Sequence, residues 1–230
     1  MEAPALPAPG AGMSADAKAR IAARAALELH PGEVVNLGIG IPNLIPEYLG
    51  PDTGVVIHTE NGLLGVGPRP DDSEVDPDLI DAAKQPITAL PGAAYFDSAS
   101  SFAMIRGGHI DVAVLGALEV SGAGDIANWA VPGKDVLGVG GAMDLVVGAR
   151  RVIVTMTAAS STGDPKVVAE CRYPLTAAGA ADVVVTELSV FRLVDGELRL
   201  TELLDGATVD DVAAVTTASY VVALEESRVG

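Results

Sequence analysis

Apolar positions change period along the chain, and each change marks an element. Residues 14–29 read as a helix, with Ser14 placed to cap it and Ile21, Ala25 and Leu29 on one face. His30-Pro31-Gly32 ends it. Residues 33–37 (EVVNL) read as a strand that breaks into Gly38-Ile39-Gly40-Ile41-Pro42. Asn43 is then placed to cap a short helix to about Leu49, with Pro46 in its first turn, where a missing N–H costs little. Residues 55–59 form a second strand, closed by Glu60-Asn61-Gly62, with more glycine at Gly65 and Gly67. The order helix, strand, helix, strand predicts a parallel α/β sheet.

Residues 68–81 hold six acids among three prolines and read as a solvated loop. Asp97 or Ser98 caps a helix to about Arg106, and Gly107-Gly108 leads to a strand at 110–115. Short sheet pieces follow at 118–120 and 126–131 around a turn at 121–125, and residues 136–141 (VLGVGG) run into a helix near 142–148. The continuous apolar runs at 151–157 and 182–186 fit buried parallel strands. Strands at 190–194 and 197–201 flank Asp195-Gly196, a type I′ hairpin signal. Thr208 with Asp211 opens a last helix as a capping box, and 220–223 is a last strand. No repeat or linker interrupts 14–224. The pattern predicts one α/β domain over 14–230: a single open, mostly parallel sheet with flanking helices and a late β-hairpin. A flexible Ala/Pro tail is expected over 1–13.

Composition narrows the function. Of 230 residues, 49% are hydrophobic and only 3% aromatic, so Val, Leu, Ile and Ala must build the core. The 31 acids against 14 Lys+Arg give a net charge of −17, which disfavours nucleic acid and anionic membrane as partners. One cysteine, Cys171, makes no internal disulfide, and histidines at 30, 58 and 109 have no metal-ligand spacing, so no metal is expected. The start carries prolines and no basic cluster, and no apolar run reaches the ~18 residues of a membrane span, so a cytoplasmic protein is expected.

Several positions invite chemistry, and each has a plainer reading. Glycines in Gly38-Ile39-Gly40, between strand and helix, let backbone N–H groups approach an anion, as in a dinucleotide fingerprint. Glu60 then lies about 20 residues on, where a ribose-binding acid belongs. Against this, Asn43 occupies the third glycine position and Pro42 removes an N–H, so turn geometry is the alternative. Glu60 itself is either an exposed turn acid or a nucleophilic carboxylate with glycine-made space around it. Gly138-Val139-Gly140-Gly141 points N–H groups at an oxyanion, or else lets a helix pack closely on a strand. Lys84, the only cation between Arg69 and Arg106, either balances the acids upstream or holds a substrate carboxylate. Ser98, Ser100 and Ser101 near His109 and Asp111 suggest a hydrolase triad only superficially, since no Gly-x-Ser-x-Gly elbow surrounds them. Cys171 reads as a small buried hydrophobe.

Longer segments carry a resemblance. VNLGIGIPNLIPEYL (35–49), HTENGLLGVGP (58–68), LPGAAYF (90–96), IRGGHIDVAVLGALEVSGAGDIANWAVPGK (105–134) and GVGGAMDLVVGARRVIV (138–154) resemble the B-type half of the 3-oxoacid CoA-transferases. This class includes succinyl-CoA:3-ketoacid and 3-oxoadipate CoA-transferases. The likeness continues through DPKVVAEC (164–171), PLT (174–176) and VVVTELSVF (183–191). It implies the fold of that family and ping-pong transfer of CoA through a glutamyl-CoA thioester. The family's Glu-Asn-Gly motif falls on Glu60-Asn61-Gly62, making Glu60 the nucleophile. The resemblance further implies that Gly140 and Gly141 give backbone N–H groups to the oxyanion and that Asn36 and Lys84 line the pocket for the acid's carboxylate. Coenzyme A is then a substrate and covalent intermediate, with no permanently bound cofactor, and an A-type CoA-transferase subunit, in a heterodimer or heterotetramer, supplies a glycine-rich CoA-binding motif and part of the oxyanion hole. The −17 charge points the same way, because a chain so acidic is a poor lone host for CoA's phosphates. Two departures stand out: Ala158 where relatives commonly carry His, and Asp135-Val136-Leu137 before the glycines. The rival expectation is a non-catalytic or nicotinamide-dinucleotide-binding α/β subunit.

Overall fold

The computed structural model describes residues 15–50, 52–133, 138 and 140–224. The expected tail over 1–13, the Ser14 cap and the Asp135-Val136-Leu137 departure lie outside the described residues. The chain runs α1 (Ala15–Ala26), β1 (Val34–Leu37), a 3₁₀ helix (Ile41–Tyr48), β2 (Val56–Thr59), β3 (Leu63–Val66), β4 (Ala89–Tyr95) and α2 (Ser98–Arg106). It continues with β5 (Val112–Gly116), β6 (Glu119–Ser121), β7 (Ile126–Ala127), α3 (Ala142–Gly148), β8 (Arg151–Thr155) and β9 (Val167–Val168). Then come β10 (Val183–Val185), β11 (Ser189–Val194), β12 (Glu197–Leu203), α4 (Val209–Ala214) and β13 (Val221–Val222).

Among the described residues, ten strands form one open sheet in the order β13-β12-β11-β10-β8-β5-β1-β2-β3-β4. Its centre, β10-β8-β5-β1-β2, is wholly parallel. Antiparallel wings extend it through β3 and β4 on one side and β11 and β12 on the other. The short pieces expected around 118–131 leave this sheet and form a small second one, β7-β6-β9.

Strand side chains alternate between faces, so a continuous apolar run serves a sheet covered on both sides. Val35, Val112, Val114 and Ile153 pack with Ile21 and Ala25 of α1. Ala113, Leu115, Val152 and Val154 face the other way, onto Ile105 of α2 and Leu145 and Val146 of α3. This sandwich holds the carboxyl ends of the parallel strands in one row.

Local signals hold where they rest on caps and turns. Asp97 caps α2, its side chain accepting from Ser100 N–H at 2.7 Å, and Thr208 with Asp211 forms the capping box of α4. Asp195 and Gly196 both take positive φ, 53° and 77°, as a type I′ hairpin requires. The helix after β1 departs from expectation. It starts at Ile41 behind Gly40 (φ 97°) and is 3₁₀, closed by i→i−3 bonds such as Asn43 N–H to Gly40 O at 3.2 Å. Pro46 has no N–H to return to Pro42, so an α ladder is broken there. Asn43 does not cap it; its amide donates to Asp81 Oδ2 at 3.3 Å.

At the opposite end of the sheet, Glu28 is only 6% exposed. It accepts from Arg192 at 2.7 and 2.9 Å and from Arg24 at 2.9 Å, and Arg24 also reaches Glu202 at 2.6 Å. Burial alone would raise the Glu28 carboxyl, but Arg192 and Arg24 outweigh it and hold it below the usual range. Glu28→Ala leaves two inward cations without their shared partner and should cost about 3–5 kcal/mol in urea unfolding. Because the folded pKa is depressed, Glu28's contribution is present at neutral pH and is lost as pH falls through that value.

Candidate functional site

Ligands of open α/β sheets bind outside the carboxyl ends of the parallel strands. Here those ends are Leu37, Thr59, Gly116, Thr155 and Val185, and Glu60 stands directly on the end of β2. Its carboxylate lies against the backbone of Gly141, the buried residue that caps the start of α3. A Cβ built on Gly141 would collide with Glu60 Oε2 and stand 2.9 Å from Glu60 Cδ and 3.1 Å from Phe102 Cζ. Two residues singled out from the sequence are therefore brought into contact, and glycine at 141 is what lets them meet. Gly140, with φ 56°, is exposed, and among the described residues nothing lies within 4 Å of where its Cβ would stand.

The electrostatics single out Glu60. Burial first, and then the negative charge of Asp144 in the first turn of α3, raise its carboxyl above the ordinary range. Asp144 is itself paired with Arg106 of α2 at 2.6 Å. A carboxylate partly stripped of water and near another acid is a stronger base and nucleophile than one in solvent.

Asn61 and Gly62 shape the turn that presents it. Thr59 Oγ1 donates to Asn61 Oδ1 at 2.7 Å and accepts from Ala82 N–H at 3.0 Å, while Asn61 Nδ2 donates to the Ile80 carbonyl at 2.8 Å. Gly62, at φ 128°, leaves no room for a Cβ against the Phe96 carbonyl. The Glu-Asn-Gly sequence is thus one carboxylate, an asparagine that ties its turn to the loop at 80–82, and a glycine that lets the turn pass the Phe96 carbonyl.

Asn36 sits on β1 directly beside His58 of β2 and is 2% exposed. Its amide nitrogen donates to His58 Nδ1 at 2.9 Å and to the His58 carbonyl at 3.3 Å, so the bonds it makes there are structural. Lys84 is exposed on a turn at 81–85, with φ 63°. Asp81 Oδ1 organises that turn by accepting from Ala83 and Gln85 N–H, both at 2.8 Å. Among the described residues Lys84 makes no ion pair. Its turn forms one wall of a mostly apolar cleft of about 440 Å³, with Leu44, Ile57, Thr59 and Ile87 among the lining residues. His58 also lines the cleft, whereas Glu60, in the turn that follows β2, is not among its lining residues.

The other candidates resolve into packing. A Cβ on Gly38 would stand 3.0 Å from Leu115 Cδ2 and 3.2 Å from the Val114 carbonyl, so close packing of β1 on β5 accounts for that glycine. Gly40 is needed for its positive φ. Asp111 accepts from Val34 N–H at 2.8 Å and pairs with Arg150 at 2.7 Å, and Ser101 meets His58 rather than His109, so the superficial triad does not assemble. Burial, with Glu119 and Asp125 nearby, pushes the Cys171 thiol up to about 11, which leaves it unreactive. Ala158 is buried, its N–H donating to Glu187 Oε2 at 2.8 Å. Sequence reading missed Phe102 and Asp144. Phe102 carries a weak signal, being one of three Phe in the chain; Asp144 carries none.

Known proteins resemble this chain over most of its length. A family model described as Coenzyme A transferase matches residues 18–214. The chain is 50% identical over 210 residues to the beta subunit of the acetate CoA-transferase of Escherichia coli (strain K12), covering 91% of this chain and 96% of that protein. It is 49% identical to the B-type subunit of the succinyl-CoA:3-ketoacid coenzyme A transferase of Helicobacter pylori, over 87% of this chain and 97% of that one. Against the human mitochondrial succinyl-CoA:3-ketoacid coenzyme A transferase 2 it is 50% identical over 92% of its own length but spans only 41% of the longer protein. Among solved structures, the acyl-CoA transferase YdiF of Escherichia coli O157:H7 superposes with a TM-score of 0.72, covering 94% of this chain and 43% of that one. At 22% identity this likeness speaks for the fold alone, and it agrees with the open, centrally parallel α/β sheet expected from the sequence. With the family model spanning most of the chain and relatives near half identity, the chain belongs to the Coenzyme A transferase family.

Proposed function

We propose that this chain is the B-type half of a two-subunit 3-oxoacid CoA-transferase and that Glu60 is its covalent catalyst. The observation that carries the reading is the half-buried Glu60 carboxylate, held on the crest of the sheet against the bare backbone of Gly141. Glu60 attacks the acyl-CoA thioester, the C–S bond breaks, and CoA thiolate leaves a mixed acyl-glutamyl anhydride. The thiolate then attacks the glutamyl carbonyl, forming the glutamyl-CoA thioester and releasing the donor as its carboxylate. The acceptor carboxylate runs both steps in reverse. No water is consumed and no net proton moves, so a carboxylate that is already anionic suffices without a base.

Backbone N–H groups of Gly140 and Gly141 serve the developing oxyanion. Lys84, exposed on the turn at 81–85, takes the acceptor's carboxylate. Asn36 spends its amide donors on His58 and so serves as a fixed wall of the site rather than a donor to that carboxylate. An A-type subunit supplies the binding of CoA's phosphates, for which a chain of net charge −17 is poorly suited. The nicotinamide alternative has less support, because Gly38 and Gly40 are both accounted for by packing and turn geometry.

Reconstitution tests the reading. The purified chain alone should not transfer CoA from an acyl-CoA to a 3-oxoacid, and addition of an A-type subunit should restore turnover. In that complex Lys84→Met should raise KM for the acceptor roughly 10-fold or more while leaving the donor half-reaction unchanged. Robust turnover by the chain alone would overturn the two-subunit reading, and unchanged kinetics with every acceptor would return Lys84 to the surface.

A further inference from the structure

We infer that His58 is a positioning residue for Glu60, a buried neutral crosslink that fixes the distance between the carboxylate and the helix wall it rests on. The inference rests on the reading of Glu60 as the nucleophile. His58, Asn36 and Ser101 are 1%, 2% and 0% exposed, and they form one chain: Asn36 Nδ2 to His58 Nδ1 at 2.9 Å, and His58 Nε2 to Ser101 Oγ at 3.1 Å.

The polarity of this chain follows from one contact. Asn36 Nδ2 also reaches the His58 carbonyl at 3.3 Å, and a carbonyl only accepts. The amide therefore turns its NH₂ toward His58, Nδ1 is the ring's acceptor, and the proton of the neutral imidazole resides on Nε2. Burial depresses the His58 pKa to about 4, so the ring stays neutral at neutral pH. An Nε2 that already carries a proton donates to Ser101 and cannot take its proton. The three residues look like a hydrolase relay, but the polarity is the reverse of what activates a serine.

What remains is mechanical. His58 ties β2 to β1 through Asn36 and to α2 through Ser101, and Phe96 stacks on its ring at 5.7 Å and 10°. The next residue of α2 is Phe102, whose ring is the third party to the Glu60–Gly141 contact. Glu60 follows His58 by two residues, in the turn after β2, and both side chains meet consecutive residues of α2, His58 at Ser101 and Glu60 beside Phe102. Loosening the His58–Ser101 bond therefore frees the Phe102 wall from the strand that carries the carboxylate.

The experiment uses the complex with the A-type subunit and compares His58→Leu, His58→Gln and Ser101→Ala. Three quantities are read: the single-turnover rate of CoA adduct formation on Glu60 without acceptor, the pH of its acid limb, and the thermal unfolding midpoint. The charged groups facing Glu60, namely Asp144 with Arg106 paired to it, are the same in every variant. A moved acid limb thus reports the carboxylate's burial. His58→Leu should form the adduct about 10–100-fold more slowly, with the acid limb shifted toward lower pH as water reaches Glu60. Ser101→Ala should shift both in the same direction by less. His58→Gln, whose Nε2 can reach Ser101, should recover most of the rate. Wild-type adduct rate and acid limb in a folded His58→Leu complex would overturn the inference. If that variant does not fold, the same result in Ser101→Ala would overturn it. Absence of any adduct in the wild-type complex would instead defeat the Glu60 reading, and this inference with it.

Discussion

Glu60→Gln should lower transfer by roughly 10⁴-fold or more while making the protein more resistant to heat. Glutamine keeps the size and the hydrogen-bonding reach but removes the anionic oxygen that attacks the thioester. The stability gain has the opposite origin from the activity loss. Burial and Asp144 raise the Glu60 carboxyl above its unfolded value, so the folded state prefers the protonated form. Stability associated with that group is fully present below the unfolded pKa and is lost as pH rises through the folded one. At neutral pH the ionised carboxylate therefore destabilises the fold, and the neutral amide does not. Thermal unfolding should show a higher midpoint for the variant at pH 7 and a shrinking difference in acid. The same shift sets the activity profile of the wild type, which should fall as pH drops through a pKa higher than that of an ordinary glutamate. An active Glu60→Gln complex would end the assignment.

Gly141→Ala should cost about 10²-fold in turnover with the fold retained. Gly141 has φ −83° and ψ 0°, a conformation alanine tolerates, so the backbone is not strained. The new methyl instead enters the space of Glu60 Oε2 and presses on Phe102. The flexible end of Glu60 can yield, which keeps the cost in stability small, but it yields by moving the reactive oxygen. A misplacement of about 1 Å is worth roughly 10²-fold in rate. The loss should appear in kcat and in the rate of adduct formation, with a thermal midpoint close to the wild type's. Undiminished activity would mean that the Glu60–Gly141 contact is not the reactive arrangement.

The parallel centre of the sheet was legible because its strands are apolar on both faces: the runs at 151–157 and 182–186 contain β8 and β10. Helix caps and the type I′ turn were legible because their chemistry is local. β3 and β4 were not, since Gly65 interrupts one and Pro91-Gly92 the other; β4 tolerates its proline because it is an edge strand. In the site, Glu60 was legible as a carboxylate ending a strand, and as a nucleophile only through resemblance. Its contact with Gly141 depends on how α3 packs beside α2, which no local spacing encodes. His58 is the clearest case of tertiary information. In the sequence it is an isolated histidine, and its partners Asn36 and Ser101 are supplied by β1 and α2.

Covalent trapping decides whether Glu60 carries the CoA. The complex of this chain with its A-type subunit is incubated with acyl-CoA and no acceptor acid, and the chain is then analysed by mass and by peptide mapping. The expected species is an adduct with the mass of CoA less one water, on the peptide containing Thr59-Glu60-Asn61. Borohydride should reduce that thioester and inactivate the enzyme, whereas the free carboxylate is untouched. An adduct on another residue, or turnover with no covalent species on this chain, would contradict the assignment of Glu60 as the nucleophile.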